Sequence, residues 1–330
     1  MRILFLILGR DKPSSRKRAL DSLEYLRSRG HEVEARVFPS GLVGRMRLLG
    51  VMSRFDVVVL QKKLPDPAYF ALMKRANGNM VYDYDDAVMF HEVERREPLK
   101  GRFLQRFSSV AESCRGVIAG NRYLAEFALA ARGGEDGVII LPTPVDIGVY
   151  NIKNYINYKG LTIGWIGTKG NIKHLRKLAG PLTIFFKSHP DAVLRVVSDA
   201  APDMPGLPLD FKPWRAEDEA DDLRSFDIGV MPLSDDIWTR GKGGYKLLQY
   251  MASGVPAVAA PVGINSDIIK DGVNGFLAGD DDSWVNSLSA LADDPALRER
   301  VGRAGRETVE RDYSLSHYNH RLALFLEGLI

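Results

Sequence analysis

Residues Gly241–Pro256 read GKGGYKLLQYMASGVP, a glycine-rich loop running into a helical pattern. Gly241, Gly243 and Gly244 make the loop, and a helix over Gly244–Ser253 puts Leu247, Leu248 and Met251 on one buried face. Such a loop at a helix start presents backbone N–H groups and the positive end of the helix dipole, which suits a diphosphate. Arg240, Lys242 and Lys246 add cationic charge beside Tyr245 at the start of that helix. Gln249 follows one turn later, where its amide can meet a ribose hydroxyl. A plain turn before a core helix, with solvated basic residues, accounts for the spacing equally well.

Outward from this segment, short β-branched runs alternate with longer amphipathic stretches, the pattern of parallel sheets with crossover helices. Strands are expected at Arg2–Leu8, Glu32–Phe38, Asp56–Leu60, Met80–Tyr84, Gly116–Ala119 and Val138–Leu141. A second set falls at Leu161–Ile166, Val193–Val197, Leu209–Lys212, Ile228–Pro232, Pro256–Ala259 and Gly275–Leu277. Helices expected between them include Ser14–Arg29, Pro67–Ala76, Asn121–Ala131, Leu175–Ser188, Ser283–Ala292 and Pro295–Arg311. The polar, proline-bearing stretch Pro142–Lys159 reads as a linker. The expected division is residues 1–150, residues 151–312, and a closing helix in 313–330 that packs back toward the first domain. Ligands in open α/β sheets bind at the carboxyl ends of the strands, so a cleft between the two domains is the expected site.

At 330 residues, 45% hydrophobic and 26% charged, the chain has the composition of an ordinary soluble protein with room for two cores. The start, MRILFLILGR, is too short in its apolar run and too soon charged for a signal peptide, and reads as a buried first strand. No window approaches the ~18 to 20 apolar residues that cross a bilayer. One cysteine, Cys114, excludes an intrachain disulfide framework and a cysteine-cluster zinc site, and fits a reducing cytoplasm. The net charge of +3 is uneven: residues 1–150 hold 24 Lys/Arg against 18 Asp/Glu, and residues 151–330 hold 21 against 24. The first half therefore suits an anionic partner, a phosphate-bearing acceptor or a membrane surface. No nucleic-acid motif accompanies that charge. The absence of a G-x-G-x-x-G run after Leu8, and of an acidic residue in the right place after the second strand, argues against a dehydrogenase.

Three further segments carry candidate chemistry. Gly164–Leu175, GWIGTKGNIKHL, makes a strand-to-helix turn at Gly167, Thr168 and Lys169, with Lys173 a second cation. Val81–Phe90, VYDYDDAVMF, places Asp83, Asp85 and Asp86 at the carboxyl end of a strand, either holding substrate hydroxyls or capping a helix; His91 follows and reads as a surface residue. Gly9–Arg18, GRDKPSSRKR, offers Ser14, Ser15, Arg16 and Arg18 to an acceptor phosphate, joined by the basic Arg45, Arg47, Lys62 and Lys63.

The stretch GGYKLLQYMASGVPAVAAPVG resembles the donor-binding segment of retaining glycosyltransferases of family 4, the group 1 transferases with the GT-B fold. DIGVMPL, DGVNGFLAGD, IGWIGTKGN, LPTPVD and VIAGNRYLAEFA, which contains Asn121, echo the same family in the expected order. The resemblance implies two Rossmann-like domains with parallel sheets and a UDP- or GDP-sugar as donor, with no cofactor and no bound metal. It implies contacts to the donor nucleotide sugar from Gly167, Thr168, Lys169, Arg240, Lys242, Gly243, Gly244, Tyr245, Lys246 and Gln249. Asp85 and Asp86 would join Lys169 and Lys246 in catalysis, and Asn121 would meet the acceptor. That acceptor would be a sugar or a lipid-linked molecule, phosphorylated or not, reached at the inner face of a membrane by a cytoplasmic protein. The family usually carries two glutamates eight positions apart, where Gly241 and Gln249 stand here. Gln249 can still bond a ribose; Gly241 cannot hold a sugar, and Asp235 or Asp236 is either a substitute carboxylate or a solvated loop charge. A nucleotide-sugar epimerase of the same fold and a catalytically silent binding subunit are the rival readings.

Overall fold

The structure, a computed structural model, describes residues 1–90, 101–155 and 160–329. Its regular elements begin with runs of Val, Ile and Leu long enough to be buried on both faces, as parallel strands require. In β1 (Arg2–Ile7) five of six residues are buried, and every residue of β3 (Val57–Gln61), β4 (Met80–Tyr84) and β5 (Gly116–Ala119) is. With β2 (Glu32–Val37) and β6 (Val138–Ile140) they form a parallel sheet in the order β2-β1-β3-β4-β5-β6. The second sheet holds β7 (Leu161–Gly167), β8 (Ala192–Ser198), β9 (Leu209–Pro213), β10 (Ile228–Met231), β11 (Ala257–Ala259) and β12 (Phe276–Leu277). Its order is β12-β11-β10-β7-β8-β9, again parallel throughout. All twelve expected strands are present, and the α/β class of two Rossmann-like sheets holds.

The chain groups into two compact units. The first comprises Met1–Pro144, Asp236–Gly243 and Leu315–Ile330; the second comprises Val145–Asp235 and Gly244–Ser314. The opening segment is therefore divided between them at Gly243–Gly244, where the sequence reading kept it whole. In the first unit the helix Leu315–Glu327 packs Tyr318, Leu322, Ala323 and Leu326 against Ile3, Phe5 and Ile7. Burial of a leucine such as Leu322 or Leu326 contributes about 1.5–3 kcal/mol. At the end of that helix Glu327 accepts two hydrogen bonds from Arg29 and lies 2.9 Å from His31.

Two expected helices are interrupted, each for a local reason. Ser14–Arg29 becomes Pro13–Arg18, a 3-10 turn at Leu20–Ser22 and Leu23–Ser28. The break follows Arg18, whose carbonyl accepts a bond from the Tyr318 hydroxyl (2.9 Å) in place of a helical partner. Leu175–Ser188 is split by a 3-10 turn at Arg176–Leu178 before Ala179–Ser188, where Pro181 has no N–H to donate to Lys177. Among the described residues no helix is long and apolar enough to cross a membrane. His91 lies outside the described residues, as does 156–159 at the end of the expected linker.

Candidate active site

Reversal of strand order marks where a doubly wound sheet opens at its carboxyl edge. In the second unit that point lies between β7 and β10. β7 ends there at Gly167, and the helix Tyr245–Ala252 follows β10 in the chain. Gly244 precedes this helix at φ +63, a left-handed position that glycine adopts without cost, and it brings no side chain to cap the helix start. Lys246, in the first turn, lays its stem across Gly167: a Cβ there would sit 2.7 Å from Lys246 Cε and 2.6 Å from Trp165 Cη2. The ammonium lies 5.6 Å from the centre of the Trp165 ring, a cation–π distance. Lys246 is thereby fixed beside the Gly167–Gly170 turn that the sequence placed on the same ligand. In that turn Thr168 Oγ1 accepts from Asn171 (3.0 Å), the Lys169 N–H donates to Asp199 (2.5 Å), and the Lys169 side chain is exposed. A helix start, a bare turn and two lysines thus gather where an anion would be held.

Gln249 behaves differently from the expectation. It is buried, and its amide N–H groups donate to Tyr150 Oη (3.0 Å) and Glu219 Oε1 (2.8 Å). Both amide hydrogens are therefore engaged within the protein. Glu219 also accepts from Tyr150 (3.1 Å) and from Trp214 Nε1 (2.9 Å). Burial and the Glu219 charge push the Tyr150 phenol up to about 12. Of the two substitute carboxylates, Asp235 lines a cavity of about 420 Å³ with Ser234, Asp280 and Asp281. Asp236 belongs to the first unit, where its carboxylate accepts from the N–H groups of Trp238 and Thr239 (both 2.9 Å) and shapes the turn before Gly241.

The first sheet reverses between β1 and β3, and its carboxyl edge carries a network of buried charge. Lys62, directly after β3, stands at φ +55, a strained conformation for a residue with a side chain. Its ammonium lies 2.6 Å from Asp85 and 2.5 Å from Asp86. Asp85 also accepts from Thr143 (3.2 Å). Burial opposes its charge, but Lys62 and Arg18 carry its carboxyl below the usual range. For Asp86, partial burial and the neighbouring Asp85 push the carboxyl above that range, against the pull of Lys62 and Lys242. Asp86 is the more exposed of the pair, 43% against 11%, and so the one able to accept a bond from a substrate hydroxyl.

The acceptor set read from GRDKPSSRKR requires correction. Arg18 is 1% exposed and pairs with Asp83, while its Nη1 donates to Leu141 O (2.8 Å) and Thr143 (3.3 Å). Ser15 is fully buried, accepting from the Leu8 N–H and donating to Gln61 (2.7 Å), and the Ser14 carbonyl accepts from Gln61 (3.1 Å). Of these four residues only Arg16 is exposed. Asn121 is also buried: Oδ1 caps the helix Arg122–Arg132 through Leu124 N, and Nδ2 donates to Arg240 O (3.1 Å) and Lys242 O (3.2 Å). That clamp presses Gly241 onto Ala87, where a Cβ would lie 2.7 Å from Ala87 Cβ and 2.9 Å from its N. No side chain fits at 241. Lys62, read from the sequence as part of the same basic patch, is instead taken up by Asp85 and Asp86, and Glu219 is the polar residue that sequence reading missed, since it sits in no motif.

Residues 161–294 match the sequence model of the family described as Glycosyl transferases group 1. A D-inositol 3-phosphate glycosyltransferase of Corynebacterium kroppenstedtii is 28% identical over 187 residues, 51% of this chain and 40% of the relative. The sulfoquinovosyl transferase SQD2 of Arabidopsis thaliana is 36% identical over 112 residues, 32% of this chain and 21% of the relative. The matches thus span less than half the length of these curated relatives. Among solved structures, Anabaena Alr3699/HepE in complex with UDP and glucose aligns over 99% of this chain and 100% of its own, with TM-score 0.75 at 17% identity. Residues 161–294 thus resemble a group 1 glycosyl transferase domain, set in a chain with the GT-B fold.

Proposed function

We propose that this chain moves a hexose-type sugar from a UDP- or GDP-sugar to an acceptor hydroxyl in glycan or glycolipid synthesis. The observation that carries the reading is Lys246 fixed across Gly167 at the uncapped start of the helix Tyr245–Ala252. Loss of the nucleoside diphosphate is the costly event in glycosyl transfer, and preorganised cations and helix dipoles stabilise the charge that develops there. Lys246 and Lys169 would serve that role, and Asp86 would orient a hydroxyl. Retention at the anomeric carbon and independence of a bound metal follow from the family resemblance. In this scheme the acceptor attacks the face the diphosphate leaves.

The acceptor reading moves from Arg18 to the cavity of about 480 Å³ lined by Phe38, Ser40, Arg45, Lys63, Asp66 and Arg106. Asp66 pairs with Arg45 (3.6 Å), and Lys63 and Arg106 suit a phosphate. Leu42, Val43 and Met46, exposed on the helix that carries Arg45, suit an acceptor met at a lipid surface.

The test is incubation with a panel of nucleotide sugars. Slow release of free nucleoside diphosphate is expected. A changed sugar still joined to its nucleotide would make the chain an epimerase, and binding without turnover would make it a binding subunit. Failure to bind any nucleotide or nucleotide sugar refutes both enzyme readings.

A further inference from the structure

A carboxylate and an exposed indole are locked together beside the helix that bears Gln249. Glu219 opens the helix Glu219–Arg224 after β9, and Trp214 directly follows that strand. Trp214 is 45% exposed, yet its Nε1–H donates to Glu219 Oε2 (2.9 Å). The other oxygen, Oε1, accepts from Gln249 (2.8 Å) and Tyr150 (3.1 Å). All three donors are neutral, and among the described residues Glu219 forms no ion pair, so its charge is not spent on a cation. A carboxylate offers about four acceptor positions. Three are filled, and the fourth, on Oε2, is open.

We propose that Glu219 receives a ribose hydroxyl of the donor nucleotide and that its base stacks on Trp214. This rests on the nucleotide-sugar reading above and names the residues of this chain that hold the nucleoside. Gln249 then acts as a positioning residue: its amide hydrogens aim the carboxylate. The placement fits the helix, since Gln249 lies four residues beyond Tyr245, about 6 Å along the axis at 1.5 Å per residue. A nucleoside at Glu219 is thus about one helical turn from the diphosphate position. A hydroxyl bonded to a carboxylate makes a charge-assisted contact, stronger than one to a neutral amide. The indole, pinned by its own N–H, is already oriented for stacking, which lowers the ordering cost of binding.

Calorimetric titration of the full chain with UDP, GDP and their 2′,3′-dideoxy counterparts tests the proposal. Wild type is expected to prefer one ribonucleotide over its dideoxy form by about tenfold or more, the scale of a hydrogen bond to a charged group. Glu219→Gln preserves shape and should cut that preference to about threefold or less while leaving dideoxy affinity near wild type. Trp214→Ala, at a half-exposed position, should weaken ribo and dideoxy forms alike by about five- to a hundredfold, and Trp214→Phe should regain most of the loss. Full ribose preference retained in Glu219→Gln, or unchanged affinity in Trp214→Ala, overturns the proposal while the donor reading stands. Wild type that binds neither UDP nor GDP overturns both, and that failure is distinct because it needs no variant.

Discussion

Replacing Arg18 with methionine should destabilise the first unit by about 3–5 kcal/mol, the usual cost of stranding one partner of a buried ion pair. The magnitude follows from what is lost. Arg18 Nε donates to both Asp83 oxygens (3.1 and 3.2 Å), Nη2 donates to the same carboxylate, and Nη1 serves Leu141 O and Thr143. Burial works against the guanidinium charge, but Asp83 and Tyr318 hold its pKa above the already high arginine value. Without Arg18, the Asp83 side chain, 5% exposed, keeps only a long contact with Gln61 Nε2 (3.4 Å). For a unit of this size each kcal/mol shifts Tm by about 2–4 °C, so a drop on the order of 10 °C is expected. Differential scanning calorimetry reads it, with urea unfolding by circular dichroism as a second measure. The double variant Arg18→Met/Asp83→Leu strands no charge and should recover about 2 kcal/mol relative to the sum of the two single changes. A single-variant cost under about 1 kcal/mol, or strict additivity, would refute the reasoning. An Arg18→Lys variant with unchanged Tm but weakened acceptor use would restore the phosphate-gripping role rejected above.

Gly241→Ala should cost about 1–3 kcal/mol by overpacking against Ala87, and Gly241→Glu more; an unchanged melting curve for either would show that the close approach is relaxed in solution. Lys246→Ala should weaken nucleoside diphosphate binding about tenfold, with a smaller loss for Lys169→Ala at its exposed position, and the diphosphate assignment is wrong if calorimetry finds no effect of either. Asp85 has a carboxyl pKa lowered on folding, so its stabilisation is present above the unfolded value of about 3.9 and is lost as pH falls through the lower folded value. Asp85→Asn should therefore flatten the acid limb of stability against pH below about pH 4, and an unaltered limb contradicts the Lys62–Asp85 pairing.

What could be read in the sequence, and what could not, divides along one physical line. The strands were legible because burial on both faces writes a continuous apolar run, as in Ile3–Ile7 and Val57–Leu60. The turn at Gly167 and the helix start at Gly244 were legible because bare backbone writes glycine. Charge pairing writes nothing local. Arg18 sits in a basic run that looks solvated, yet its partner Asp83 is 65 residues away, and the hydroxyl that takes its carbonyl and breaks the helix is 300 residues away. Gln249 looks like a substitute ribose ligand until Glu219, 30 residues earlier, proves to hold its amide. Gly241 marks a missing carboxylate in sequence, whereas in the structure Ala87 and the Asn121 clamp leave no room for any side chain. The backbone half of the proposed phosphate site is thus a local property that spacing can predict. Its charged half is decided by which distant element supplies the counter-charge, so a basic or amide residue in a motif should not be assigned to a ligand until its internal partners are known.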